Sequence, residues 1–154
     1  MASEAHEPIV KEIFIDAPPE EVFTYLTESE KYVLWMGLSA EIDPRPGGIF
    51  KVDPNTIDII FGEFLEVVPN RRLVFTWGWK EPGHPVPAGS TRVEIDLIPE
   101  GGGTRLRLTH HGVPDSMGER HDMGWSHYLG RLAVRMAGTD PGPDPFASPE
   151  FRHR

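Results

Sequence analysis

The chain has 154 residues, 38% of them hydrophobic and 25% charged, which suits one globular domain around a single core and is not the composition of a disordered chain. It has no cysteine, so disulfide scaffolds, thiolate zinc sites and cysteine nucleophiles are ruled out. Fifteen basic against twenty-four acidic residues give a formal charge of −9, which repels nucleic-acid phosphates and anionic lipid, and no basic stripe offsets it.

The first residues, Met1 to Glu7, are acidic and lack an apolar run, so no targeting peptide is read there. No stretch approaches the ~20 apolar residues that a membrane span needs. A cytoplasmic location is expected, with no nucleic acid and no membrane span among its partners. The first strand spans Ile9 to Ile15; apolar residues in both phases predict burial on both sides. Ala17-Pro18-Pro19-Glu20-Glu21 opens a helix, since proline suits a first turn and carboxylates suit the positive helix end. Val22, Phe23, Tyr25 and Leu26 form its buried side. Thr27-Glu28-Ser29-Glu30 reads as a capping box that starts a second short helix, running towards Trp35 and stopping at Gly37.

From Leu38 to His111 the pattern is strands and turns. Strands are predicted at Ile49 to Val52, Ile57 to Val68, Arg72 to Trp79, Thr91 to Ile98 and Thr104 to His111. The returns between them are short, which implies an antiparallel meander. Ser116-Met117-Gly118-Glu119 reads as a second capping box, before a long helix over residues 117 to 137 with Gly138 as its C-terminal cap. Trp125, Tyr128, Leu129, Leu132 and Met136 make its apolar face, with His121 on the same side. The sheet must bury one face, and this helix is the only long amphipathic element available to cover it. The domain is therefore expected over residues 9–138, between an N-terminal tail (1–8) and a proline-rich, irregular C-terminal tail (139–154).

Period-two alternation sends Val93, Ile95 and Leu97 inward, and Leu106, Leu108 and His110 with them. Leu73, Phe75, Trp77 and Trp79 share one phase, a heavy aromatic load for either a core or a pocket. In the strand from Ile57 to Val68, Ile59, Phe61, Glu63, Leu65 and Val67 share a phase. That puts Glu63 on the core side unless a bulge at Gly62 resets the register. A metal site is not expected: His110 and His111 point opposite ways, His121 and His127 lie about 120° apart around a helix, and no HExxH pattern exists. No G-x-S-x-G elbow occurs, and Gly101-Gly102-Gly103 lies between two strands, so it reads as a hairpin turn and not a phosphate cradle.

Several runs together resemble the SRPBCC superfamily, in particular the group named for its likeness to the activator of Hsp90 ATPase. They are Ile15-Asp16-Ala17-Pro18-Pro19-Glu20-Glu21-Val22-Phe23, Asp43-Pro44-Arg45-Pro46-Gly47-Gly48, Gly62 with Glu66-Val67-Val68-Pro69, Leu73-Val74-Phe75-Thr76-Trp77, Gly103 to His110, and Gly124-Trp125. The resemblance implies an α+β helix-grip (START/Bet v 1-like) fold: a curved antiparallel sheet around a long C-terminal helix, with two short helices after the first strand and a cavity between. Members of the superfamily bind lipids, hormones or polyketides, and some are cyclases or other enzymes. The leading expectation is a binding domain for a small apolar or aromatic molecule, without a cofactor, its pocket drawn from Trp35, Phe61, Trp77, Trp79, His110, His121 and Tyr128. A second is a cyclase or lyase with His110 as proton carrier and Glu63 beside it. A third is an interaction module for a chaperone ATPase, although the chain looks like a stand-alone domain without the N-terminal domain of the eukaryotic co-chaperone. Pairing into a homodimer stays open.

Overall fold

The computed structural model describes residues 7–144. In chain order the elements are β1 (Ile9–Ile15), α1 (Pro19–Thr27), α2 (Ser29–Tyr32), β2 (Ser39–Ile42), β3 (Ile49–Asp53), β4 (Ile60–Val68), β5 (Arg72–Trp77), β6 (Thr91–Glu100), β7 (Gly103–His111) and α3 (Asp115–Met136). The strands form one seven-stranded sheet in the order β1-β7-β6-β5-β4-β3-β2. Every neighbouring pair is antiparallel. From β2 to β7 the chain meanders, and β1 adds beside β7. The helices α1 and α2 therefore span the sheet from one edge to the other.

The inner face carries the residues that alternation assigns to it. Val93, Ile95, Leu97, Leu106, Leu108, His110, Leu73, Phe75 and Trp77 are all buried. Across from them α3 buries His121, Trp125, Tyr128, Leu129 and Leu132. Arg131 and Arg135, off the centre of that face, donate to the carbonyls of Trp35 and Leu34 at 3.0 and 3.2 Å, which satisfies the chain just after α2. Gly138, at φ +91°, closes α3 as expected. Curved sheet and long helix together make the α+β helix-grip fold. Among the described residues no helix is long and apolar enough to cross a membrane.

Several sequence expectations need correction. β1 is an edge strand and only its inner side is covered, so Ile9 and Ile15 are buried while Val10 and Phe14 lie exposed. β4 begins at Ile60, because Asn55 organises the preceding residues into a loop: its Oδ1 accepts from the amides of Ile57 and Asp58 at 2.9 and 2.8 Å. The buried phase of β4 is then Ile60, Gly62 and Phe64, and Phe61 and Glu63 belong to the other face. A bulge does occur, but between Phe64 and Glu66. β2 has no sequence expectation to match; it is a short edge strand paired with β3. Neither capping box forms. Thr27 still belongs to α1 and donates its hydroxyl back to the Phe23 carbonyl, and Ser116 already lies inside α3, which starts after Pro114.

β5 stops at Trp77, and Gly78 allows a close approach just beyond it. A Cβ there would overlap the carbonyl oxygen of Pro87, so the loop after Trp79 can lie directly on the strand end. The Trp79 amide donates to the Val86 carbonyl at 2.8 Å, which holds that loop in place. Residues 139–144 have no regular structure. The rest of the expected tails, residues 1–6 and 145–154, lies outside the described residues.

Candidate functional site

One side of the space between sheet and helix is filled. Phe50 stacks on Phe75 with centroids 4.2 Å apart, Phe64 meets Phe75 edge-on at 5.6 Å, and Tyr32 closes on Phe50 at 5.9 Å. The other side is hollow. There a cleft of about 720 Å³ opens between the N-terminal half of α3, the loop before β4 and the loop after Trp79. Trp77, Trp79, Trp125 and Tyr128 form aromatic walls, with the thioethers of Met36, Met117 and Met123. Asn55, Asp58, Glu81, Glu119 and Arg120 add polar groups. Trp77 packs against Trp125 at 4.9 Å, and Trp79 stacks on His84 at 5.6 Å.

Two indole–imidazole bonds hold these walls. Trp125 Nε1 donates to His110 Nδ1 at 3.0 Å. Thr91 Oγ1 donates to the Trp77 carbonyl at 2.7 Å, so at 2.8 Å from His110 Nε2 it must accept. His110 is therefore the neutral tautomer protonated on Nε2, with both nitrogens engaged. In the second bond Trp79 Nε1 donates to His121 Nε2 at 3.2 Å. His121 Nδ1 lies 2.9 Å from the Met117 carbonyl, which can only accept, so this ring is protonated on Nδ1. The two imidazole centroids are 5.8 Å apart. Burial, reinforced by His121 and His111, pushes the His110 pKa down to about 3. Burial also lowers that of His121, against the Met117 carbonyl that favours its charged form. Trp77 Nε1 is buried without a hydrogen-bond partner among the described residues. Tyr128 donates its hydroxyl to Asp144 Oδ2 at 2.7 Å, and burial followed by this carboxylate raises its pKa.

The sequence-derived candidates divide into three groups. Trp77, Trp79, His121 and Tyr128 line the cleft. His110 lies behind it, edge-on to Trp77 at 5.7 Å. Trp35, Phe61 and Glu63 do not reach it. Trp35 is buried, its Nε1 donating to the Tyr25 carbonyl at 3.0 Å. Phe61 lies under the Lys80 ammonium, 4.8 Å from its ring centroid, and Glu63 is exposed. Sequence reasoning left out Trp125, although its position one turn after His121 is the signal that could have added it. Asn55, Asp58 and His84 sit in loops, where periodicity carries no signal. No group of three or more histidines and carboxylates that could hold a metal occurs among the described residues.

Residues 16–137 match the model of the family described as Activator of Hsp90 ATPase homolog 1-like protein. The chain belongs to this family. Among curated relatives of this family member, the human activator of 90 kDa heat shock protein ATPase homolog 1 is 30% identical over 122 residues, covering 77% of this chain and 33% of that protein. The chain thus spans about a third of the length of the curated relatives it matches. Among solved structures, the AHSA1-like protein of Rhizobium etli is 48% identical, with a TM-score of 0.70 over 90% of this chain and 87% of that one. DynU16, a protein of the dynemicin biosynthetic locus, is 25% identical with a TM-score of 0.76, over 90% of this chain and 51% of that one.

Proposed function

We propose that this family member binds a small, largely apolar and aromatic molecule in the cleft. The observation that carries this reading is the hollow aromatic wall: three indoles border a space of about 720 Å³, the size and character of small-molecule sites. The three lining methionines support it, since flexible thioethers adapt to irregular ligands. The likeness to a protein of a biosynthetic locus is in line with a small-molecule ligand. Native mass spectrometry of gently purified protein is expected to find a co-purified molecule of a few hundred daltons. A thermal-shift screen of polycyclic aromatic and fatty compounds is expected to find ligands that raise Tm by linkage and change tryptophan emission. A clean mass and a flat screen would overturn the reading.

The cyclase or lyase alternative loses ground on geometry. A proton carrier needs a nitrogen that reaches the substrate, and both His110 nitrogens are held by protein groups. Glu63 faces the other side of the sheet. A protein-interaction role on a chaperone ATPase is favoured by the family match and by the human relative. A pull-down with a purified Hsp90-type ATPase tests it: retention supports that role, and no retention removes it.

A further inference from the structure

We infer that the mouth of the cleft is an acid-opened latch: when His121 and His84 take up protons, the Trp79 indole is released and the cleft lets its guest go. The release of a guest rests on the small-molecule reading above; the latch does not. It is built from two imidazole lone pairs. Trp79 Nε1 donates to His121 Nε2 at 3.2 Å, which joins the chain just beyond β5 to α3. The Val86 amide donates to His84 Nδ1 at 2.9 Å, and the His84 ring stacks on Trp79 with 29° between the planes. Trp79, His84 and His121 all border the cleft. Each of these two nitrogens accepts only while it carries no proton. His121 already holds its proton on Nδ1, against the Met117 carbonyl at 2.9 Å, so a second proton goes to Nε2 and faces the indole N–H, donor against donor. On His84 the added proton goes to Nδ1 and faces the Val86 N–H in the same way. Proton uptake thus cancels the bond that holds the Trp79 indole and the bond that orients the ring stacked on it.

The part set free is small and its ends are fixed. The Trp79 amide donates to the Val86 carbonyl and the Lys80 amide to the Ile59 carbonyl, both at 2.8 Å, and the Val86 side chain is fully buried. Between these anchors lie residues 81–85, with Gly83 at φ +78°. Opening therefore moves an indole, an imidazole and one turn, while the sheet and α3 keep their places.

The surroundings of the two rings set the pH window. Arg120 on α3 faces both, Glu81 in the loop and Asp58 before β4 face His84, and the neutral His110 of β7 stands 5.8 Å from His121. Glu119 also borders the cleft, and Lys11 of β1 is paired with Asp122 on α3 at 2.6 Å. Burial comes first for both rings and holds them below the ordinary 6.5, although Glu81 and Asp58 favour a charged His84 and the Met117 carbonyl favours a charged His121. A released ring regains water and its ordinary value, so the open mouth binds protons more tightly than the closed one. Acid below about pH 6.5 therefore draws the mouth open, and a guest packed on Trp79 resists the proton by the same factor.

The indole N–H resonances of the full chain, followed by NMR without any ligand, test the latch. Between about pH 7.5 and about pH 5.5 the Trp79 signal is expected to shift and to exchange with water several-fold faster. The Trp125 signal, bonded to the fully buried His110, is expected to stay as it is. His121→Gln and His84→Asn keep an acceptor near Nε2 and Nδ1 but take up no proton in this range, so the double variant should hold the Trp79 signal steady. A Trp79 signal that ignores pH in the parent chain, or that responds equally in the double variant, overturns the latch. For the guest, the probe is N-phenyl-1-naphthylamine, which is uncharged over this range. Its Kd is expected to rise about fivefold or more at the lower pH in the parent chain and less than about twofold in the double variant. Equal rises in both overturn the release. A probe that binds at neither pH counts against the small-molecule reading, and the indole signal still decides the latch.

Discussion

β5 sends Leu73 and Phe75 to one end of the inner face and Trp77, with Trp79 beyond it, to the other, all in one phase. At the first end rings meet rings: Phe50 and Phe64 pack on Phe75, and Tyr32 packs on Phe50 behind them. At the second, the indoles of Trp79 and Trp125 spend their N–H groups on imidazoles and still border open space. The strand is the same; what covers it differs. Over Phe75 stand β3, β4 and α2, while Trp77 and Trp79 look towards two loops and the start of α3. Alternation thus decides which face a side chain takes, and the neighbouring elements decide whether that face becomes a core or a wall.

The largest effect expected from this contrast is in truncation. Phe64→Ala should lower the unfolding free energy by about 3–5 kcal/mol, as for a large ring removed from a packed core. Met123→Ala, at 59% exposed on the cleft border, should cost less than about 0.5 kcal/mol. Urea unfolding of both variants checks this, and equal losses would erase the distinction between filled and hollow ends.

Acid should act on the hollow end. In the folded state the His110 pKa is pushed below the ordinary 6.5 to about 3, so the unfolded chain takes up this proton first as pH falls. Stability is therefore undiminished above about pH 6.5 and drops from there towards pH 3, by on the order of 2 kcal/mol at pH 5 for this one group. His121 contributes with the same sign. Urea midpoints measured between pH 7 and 5 should fall steadily, and the slope should shrink in His110→Gln. A flat profile in the parent chain would mean that His110 is not held neutral by burial.

The smallest effect compares the two indole bonds. Trp125→Phe removes the donor to a fully buried nitrogen and is expected to cost about 1–2 kcal/mol. Trp79→Phe removes the same kind of bond where the indole is partly exposed and water can replace it, so under about 1 kcal/mol is expected. The reverse order in thermal unfolding would place the rigid part of the network at the mouth and not behind it.

Much of this was legible in the sequence. The meander, the long helix and the inward phase of Val93, Leu106 and His110 come from strict alternation and a 3.6-residue period, signals that survive any tertiary context. β4 misled because Ile57 and Ile59 extend the odd-numbered apolar pattern backwards through a loop held by Asn55, whereas the strand itself, from Ile60, buries the even phase and leaves Phe61 and Glu63 on the other face. Trp35 was misplaced for another reason. Its aromatic bulk fits a pocket equally well, but its N–H is taken by Tyr25, a contact ten residues away that no period reports. The polar border of the cleft was illegible for the same reason: Asp58 and His84 owe their positions to loops whose course depends on the finished sheet.

The closeness at Gly78 ties the mouth of the cleft to one backbone position. Because the Pro87 carbonyl occupies the place of a side chain there, any substitution must push the loop that carries Glu81 and His84 outward, while β5 and β6 keep their pairing through Trp77 and Thr91. The width of the mouth is therefore set by the backbone at Gly78 and not by the pairing of β5 with β6, so a side chain at this position would change the mouth and leave the sheet as it is.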